Sequence, residues 1–438
     1  MLALILPFLL STCDLGTHFA NPDAWSQPAV DFAVDHQKDG FGFASQKRDI
    51  VNCMKRGACT WHGLEVWETR IYYGADGATR IEMSLYNRGD DKTAGGLDSE
   101  GLKKLLDDIA AKAQPGGKIG ANPEKKKLKT GGYQFSKKWN KGDCDIDLVW
   151  GVDGVKEKDL TADYVRVTMH PKGGAKVKAS AKSGGIVSKT KAKAHVKKNA
   201  DGDVWIDGVP MVDQGQKGYC AAAASERVLR YYGVEVDEHE IGQAAGTSAE
   251  EGTSTKGMKD SVTAVGRRYK LATVVSYGDF EKPVSERIES IVKEVASYNK
   301  AAKKLKKKEI TDDVYITHSG STTYYNPMAA DAAMDPEVLK YMKTEGSQRS
   351  KFTKFLKDVH DQVNKGIPLF WGVTLGTYPE PEIPQANGGH MRLIIGYNDK
   401  KKEILYTDTW GAGHELKRMP AEWAWTISHC LMYLKPLR

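Results

Sequence analysis

Ile81, Met83 and Leu85 alternate with polar neighbours, as do Ile146, Leu148 and Trp150, and Val165, Val167 and Met169. A period of two marks strands with one buried face. The turn Gly74-Ala75-Asp76-Gly77, set between 67–73 and 80–86, predicts a hairpin. Over 102–113 the period changes. Leu102, Leu105, Leu106 and Ile109 fall on one side of a helix, with Asp98 or Ser99 as its cap. Residues 21–170 are therefore expected to form a separate α+β domain. Its His62, His170 and aspartates are scattered, so a structural or substrate-binding role is expected there rather than catalysis.

From 171 to 200 the chain is mostly Lys, Ala, Gly, Ser and Val, with no aromatic residue. Such a stretch cannot bury a core and predicts a flexible linker. Helical spacing returns with Val228, Leu229 and Tyr232 after four alanines, Ala221 to Ala224. Further helices are predicted at 237–245, 257–268, 284–308 and 347–365, the last stopped by Gly366 and Pro368. Residues 309–347 read as an insertion. An apolar strand at 369–375, a strand at 388–397 entered from Gly388-Gly389, a polar turn, and a return strand at 403–408 follow. Residues 201–438 are thus expected to be a second α+β domain, a helical lobe followed by antiparallel sheet.

Residues 2–10 are apolar, far short of the ~20 residues a membrane span needs. The run fits the core of an export signal over 1–20, cleaved after Ala20. Leu10-Ser11-Thr12-Cys13 also approaches a lipoprotein cleavage site. Export is the expectation: secreted, periplasmic or lipid-anchored. A cytoplasmic chain with a buried strand here is the competing reading. With Cys13 removed and Cys220 set aside, four cysteines could form two disulfides in an oxidising compartment, Cys53 and Cys59 being the nearest local pair. Cys430 reads as core.

The net charge is +7, and residues 172–198 hold nine lysines and no acid, so the remainder is slightly acidic. The basic character belongs to the linker, which could touch anionic surfaces weakly. No basic patch is interleaved with aromatics, so nucleic-acid binding is not expected. Neither a cofactor nor a metal is expected.

The candidate chemistry centres on Cys220. A Gly-rich turn with Gln214, Gly215 and Gly218 leads into it, and the alanine-rich helix starts there. Free N–H groups and the positive helix end favour a thiolate at that place. A nucleophilic Cys needs a base and a group to orient the base. His390 opens one strand, and Asp408 ends its hairpin partner, which would bring acid and imidazole together. Trp410 would shield them from water. His318, His360, His414 and His429 lack the glycine-flanked strand start of His390, with His414 the second choice.

The order Gln214…Cys220-helix, Gly389-His390-strand-Gly396-Tyr397, Asp408-Thr409-Trp410-Gly411 resembles the papain-like cysteine peptidase superfamily. Asp408 in place of Asn, and Gly252-Thr253-Ser254, resemble its bacterial branch that includes the double-glycine leader peptidases. The resemblance covers about 230 residues, 204–434. It implies Cys220 as nucleophile, His390 as base and later acid, Asp408 as orienter, and the Gln214 side chain with the Cys220 N–H as oxyanion hole. The substrate would be a peptide or protein, cut at a peptide or isopeptide bond through a thioester. Acyl transfer on the same scaffold and a non-catalytic binding protein are the alternatives. The sequence departs from the pattern in having Ala221 where papain has Trp, in the 170 residues separating Cys220 from His390, and in lacking a following membrane span.

Overall fold

The computed structural model describes residues 13–91, 96–113, 123–127, 132–153, 160–173, 188–215, 218–234, 236, 238–247, 252–278, 284–320, 322–381, 383–385 and 387–437. The fold is mixed α+β. The alternating N-terminal segments build an eight-stranded antiparallel sheet in the order Gly42–Phe43, Ile50–Cys53, Glu68–Gly74, Gly77–Asn87, Thr161–Pro171, Cys144–Asp153, Tyr133–Lys141, Glu124–Lys127. Ile81, Met83, Ile146, Leu148, Val165, Val167 and Met169 are buried on it, as their period of two requires. Helix Ser99–Ala113 lays Leu102 and Ile109 into this core, with Leu105 and Leu106 half-buried beside them.

Strand Cys13–Asp14 pairs in parallel with Cys59–Trp61, and helix Leu15–His18 follows. Leu15 and Phe19 are fully buried. Of the expected signal segment, residues 1–12 lie outside the described residues, whereas Leu15 and Phe19 belong to the N-terminal core. Cleavage after Ala20 would withdraw both side chains. All six cysteines are free thiols. Cys53 Sγ donates to the Asp39 carbonyl at 3.5 Å, and Cys59 Sγ lies 3.3 Å from the Thr69 hydroxyl. The local disulfide considered from sequence is not formed; each thiol has its own buried partner.

The linker is shorter than its composition predicts. Helix Lys189–Ala194 buries Ala192, and strand Val196–Lys198 pairs with Asp203–Ile206. Lysine on the exposed faces hid this, because the one alanine and one valine that pack inward are too few to set a period. Residues 174–187 lie outside the described residues.

The C-terminal sheet runs Val196–Lys198, Asp203–Ile206, Gly388–Asn398, Leu369–Leu375, Ser428–Pro436, Leu271–Tyr277, all antiparallel, with Glu403–Thr407 added beside Gly388–Asn398 and Lys417–Pro420 beside Glu403–Thr407. Helices Cys220–Tyr231, Thr255–Arg268 and Arg349–Val363 cover it and share its buried cluster. The insertion begins earlier than expected. Helix Val284–Lys304, hairpin Ile316–Ser319/Thr322–Tyr325 and helices Pro327–Ala333 and Pro336–Thr344 enclose a small core of their own around Val295, Tyr298, Val338 and Met342.

Candidate active site

Helix Cys220–Tyr231 is capped by the backbone of Tyr219 with no side-chain cap and no acid in its first turn. Its positive end therefore stays uncompensated by the chain itself and faces the sulfur. Ala222, Ala223 and Ala224 are completely buried. Without larger side chains the helix lies close over strand Gly388–Asn398, and Cys220 comes against the start of that strand. The register pairs Leu393 with Thr407, which carries Asp408 to the level of Arg392. His390 and Arg392, two residues apart, point to one face of the strand, so both meet Asp408.

His390 Nε2 lies 2.5 Å from Asp408 Oδ1, and both side chains are fully buried. Arg392 Nε donates to Asp408 Oδ2 at 2.7 Å, and the Thr409 N–H to Oδ1 at 2.9 Å. With Nε2 committed to Asp408, Nδ1 is the nitrogen left for Cys220; it has no hydrogen-bond partner among the described residues. Trp410 stacks on the imidazole, 4.2 Å between centroids and 6° between planes, which closes that face to water as expected. Gln214 is held by its N–H on the Thr409 carbonyl at 2.8 Å and by the Thr409 hydroxyl donating to Oε1 at 2.5 Å. Its oxygen being taken there, the amide nitrogen is directed the other way.

Electrostatics makes a charged pair. Burial by itself raises the Cys220 thiol, but the hydrogen bond and charge of His390, with the Met391 N–H, bring it below its ordinary 9.0. Burial works to lower His390; the Asp408 charge and hydrogen bond, with Cys220 adding to them, prevail and raise it from 6.5 to about 9. Asp408 is pushed up by burial, yet His390 and Arg392 hold it far below the usual carboxylate range. The arrangement can keep a thiolate beside an imidazolium at neutral pH.

The four residues singled out in the sequence thus come together. Cys220, His390 and Gln214 line an open cleft of about 750 Å³ with Gly215, Gly218, Gly252–Ser254, Met258, Pro384, Met391 and Trp410, while Asp408 lies behind His390. Of the proline-rich 377–384 segment, Pro384 lines the cleft. His360 pairs with Asp399 on the surface, and His414 packs edge-on behind Trp410, outside the cleft. His429, set aside in the sequence, lines it.

Three supports escaped the sequence reading. Arg392 is completely buried and also binds Glu380 at 2.9 Å, whose other oxygen accepts from Tyr406 at 2.6 Å. Arg227, inside the Cys220 helix, donates to the carbonyls of Pro210 and Asp408 and to the Thr407 hydroxyl, tying helix to hairpin. Thr409 fixes Gln214. The available signal was Arg392 itself, a charge in an apolar strand two residues from the candidate His.

Buried Glu68, Glu238 and His239 have a spacing that suits a metal, within 4.8 Å. Arg70 already neutralises Glu238 at 2.6 Å, and His239 lies 2.7 Å from Glu68. A guanidinium occupies the role a cation would have, and the donor set does not fit a metal.

Residues 286–431 match the Peptidase_C39 like family. This stretch holds His390 and Asp408 but not Cys220. No curated protein matches the chain. Among nine solved chains that match is xylellain, a cysteine protease from Xylella fastidiosa, similar at 14% identity over 57% of this chain and 89% of that one, with a TM-score of 0.26. The family match, over about a third of the chain, is consistent with a papain-like C-terminal half and supports a cysteine-protease type of hydrolase. Among the described residues, no helix is long and apolar enough to cross a membrane.

Proposed function

We propose that the chain is a thiol hydrolase that cleaves a peptide or isopeptide bond through a thioester on Cys220. The observation that carries this is the buried Asp408–His390 bond, which leaves Nδ1 for the sulfur at a helix start without a side-chain cap. The Cys220 thiolate attacks the carbonyl carbon. The oxygen takes the negative charge and is met by the Gln214 amide and the Cys220 N–H, donors of a kind that lower such barriers by a few kcal/mol. Collapse breaks the C–N bond, and the imidazolium gives its proton to the departing amine. Water then attacks the thioester, His390 takes the water's proton, and the sulfur leaves as thiolate with the acid product. Asp408 keeps the imidazole oriented throughout, and Arg392 keeps Asp408 charged.

Cleavage of a peptide library by wild type and by Cys220→Ala tests the reading. Wild type alone is expected to cut, and mass spectrometry of a rapid quench is expected to find an acyl group on Cys220. Equal cutting by the two proteins would refute it. An amine such as hydroxylamine, supplied with the substrate, diverts the acyl group to an adduct if the thioester is the intermediate.

A further inference from the structure

The loop that carries both proposed oxyanion donors is held from outside its own domain. Gln214 is preceded by Asp213, and Cys220 is preceded by Tyr219. Each of these preceding residues is pinned by the N-terminal sheet. Asn52 Nδ2 donates to Asp213 Oδ2 at 3.1 Å, and Arg70 donates to the Asp213 carbonyl at 2.9 Å. Asp213 passes this on, its Oδ1 accepting the Gly215 N–H at 2.9 Å. The Tyr219 hydroxyl donates to Asn87 Oδ1 at 2.7 Å. The Tyr219 ring is buried, with Gly89 beside it so close that a Cβ there would overlap the ring. Asn52, Arg70 and Asn87 stand on Ile50–Cys53, Glu68–Gly74 and Gly77–Asn87, three adjacent strands of one sheet.

Between the two anchors lie Gly215, at φ +67°, and Gly218. Glycine gives a loop this conformation at the cost of stiffness. An oxyanion hole works only if its donors are fixed to a fraction of an ångström. The C-terminal half secures Gln214 through Thr409, and the N-terminal strands supply side-chain hydrogen bonds to the residue before each donor. Those strands stay clear of the substrate: among the described residues every side chain lining the cleft lies between 214 and 429.

We infer that Asn52, Arg70 and Asn87 are positioning residues of the thiol site: the N-terminal sheet braces the oxyanion loop and does not plug the cleft. This rests on the hydrolase reading above. It concerns the oxyanion donors and not the thiolate pair, because His390, Asp408 and Trp410 are held by the C-terminal hairpin.

That separation gives the test. In the full-length chain, Asn52→Ala combined with Tyr219→Phe removes two brace bonds and keeps the Tyr219 ring in place. Two reactions of Cys220 are compared with wild type. Hydrolysis of N-benzoylglycine p-nitrophenyl ester passes through an oxyanion; alkylation by iodoacetamide does not. The ester kcat is expected to fall about tenfold or more, with KM little changed, since a misplaced donor costs up to about 10² in rate. The alkylation rate and its pH profile are expected to stay at wild-type values. A parallel fall in both reactions would mean that the sheet merely maintains the fold, and no fall in either would mean that the loop needs no brace; each result overturns the inference. The hydrolase reading fails separately, if wild type turns over the ester no faster than Cys220→Ala, and the brace then loses its purpose as well.

Discussion

At Cys220 and His390 two burial effects are each reversed by a neighbour. A buried thiol resists ionising and a buried imidazole resists protonation, yet together, with Asp408 behind, each stabilises the other's charge. The sign of the pH dependence follows. His390 holds its proton more tightly when folded, so its contribution to stability is complete below about 6.5 and is lost as pH rises through about 9. The same proton is the one delivered to the leaving amine. Amide cleavage is therefore predicted to fall away above pH about 9; a rate still climbing at pH 10 would contradict the assignment. Gln214→Ala is predicted to lose roughly 10²-fold in kcat with KM little altered, the scale of one oxyanion donor. Unchanged steady-state kinetics would remove Gln214 from the site. Arg392→Met leaves Asp408 and Glu380 without their shared guanidinium, both buried. It is predicted to cost about 3–5 kcal/mol in urea unfolding, the loss seen when one partner of a buried pair is deleted. Cys220, His390, Asp408 and Gln214 were legible because each stands beside glycine or at the end of an apolar run. Arg227 and Thr409 were not, because nothing local says that such a side chain faces inward, and Arg392 offered only its place in an apolar strand two residues from His390.

Among the elements, the Cys220 helix shows how much a stripe of small residues decides. Glu226 and Arg227 on it are as buried as its alanines, which no period would reveal. Glu226 accepts the Glu238 N–H at 2.7 Å and pairs with Arg230 at 2.6 Å, so the polar side of the helix is covered by protein, not water. Ala223 has no exposed surface. Ala223→Leu should overpack the contact and cost about 1–3 kcal/mol, read as a lower urea midpoint; a midpoint equal to wild type would show slack behind the helix that the packing denies. The strands and long helices matched their apolar periods closely. The 188–198 segment did not, since its strand exists through pairing with Asp203–Ile206 and its helix packs inward by Ala192 alone.

Across the whole molecule, the N-terminal sheet is joined to helix Glu238–Ala245 of the C-terminal half by buried polar pairs. Arg70 meets Glu238 at 2.6 Å, His239 meets Glu68 at 2.7 Å, and Gln243 donates to Asp163 at 2.6 Å. Arg70→Met would strand Glu238, whose side chain is fully buried. A loss of about 3–5 kcal/mol and a lowered melting temperature are predicted by calorimetry; a melting curve identical to wild type would mean that this junction carries no stability. The sequence by itself determined the central strands of both sheets, the helix behind Cys220, and the identity of the thiol, imidazole, carboxylate and amide that meet there, because periodicity and glycine punctuation are local properties. Only the tertiary structure decided which buried arginine keeps Asp408 ionised and that side chains of Asn52, Arg70 and Asn87 reach across to the loop between Gln214 and Cys220. The contacts of Asn52, Arg70 and Asn87 join residues more than a hundred positions apart, and a hydrogen bond of that kind leaves no trace in the pattern around either partner.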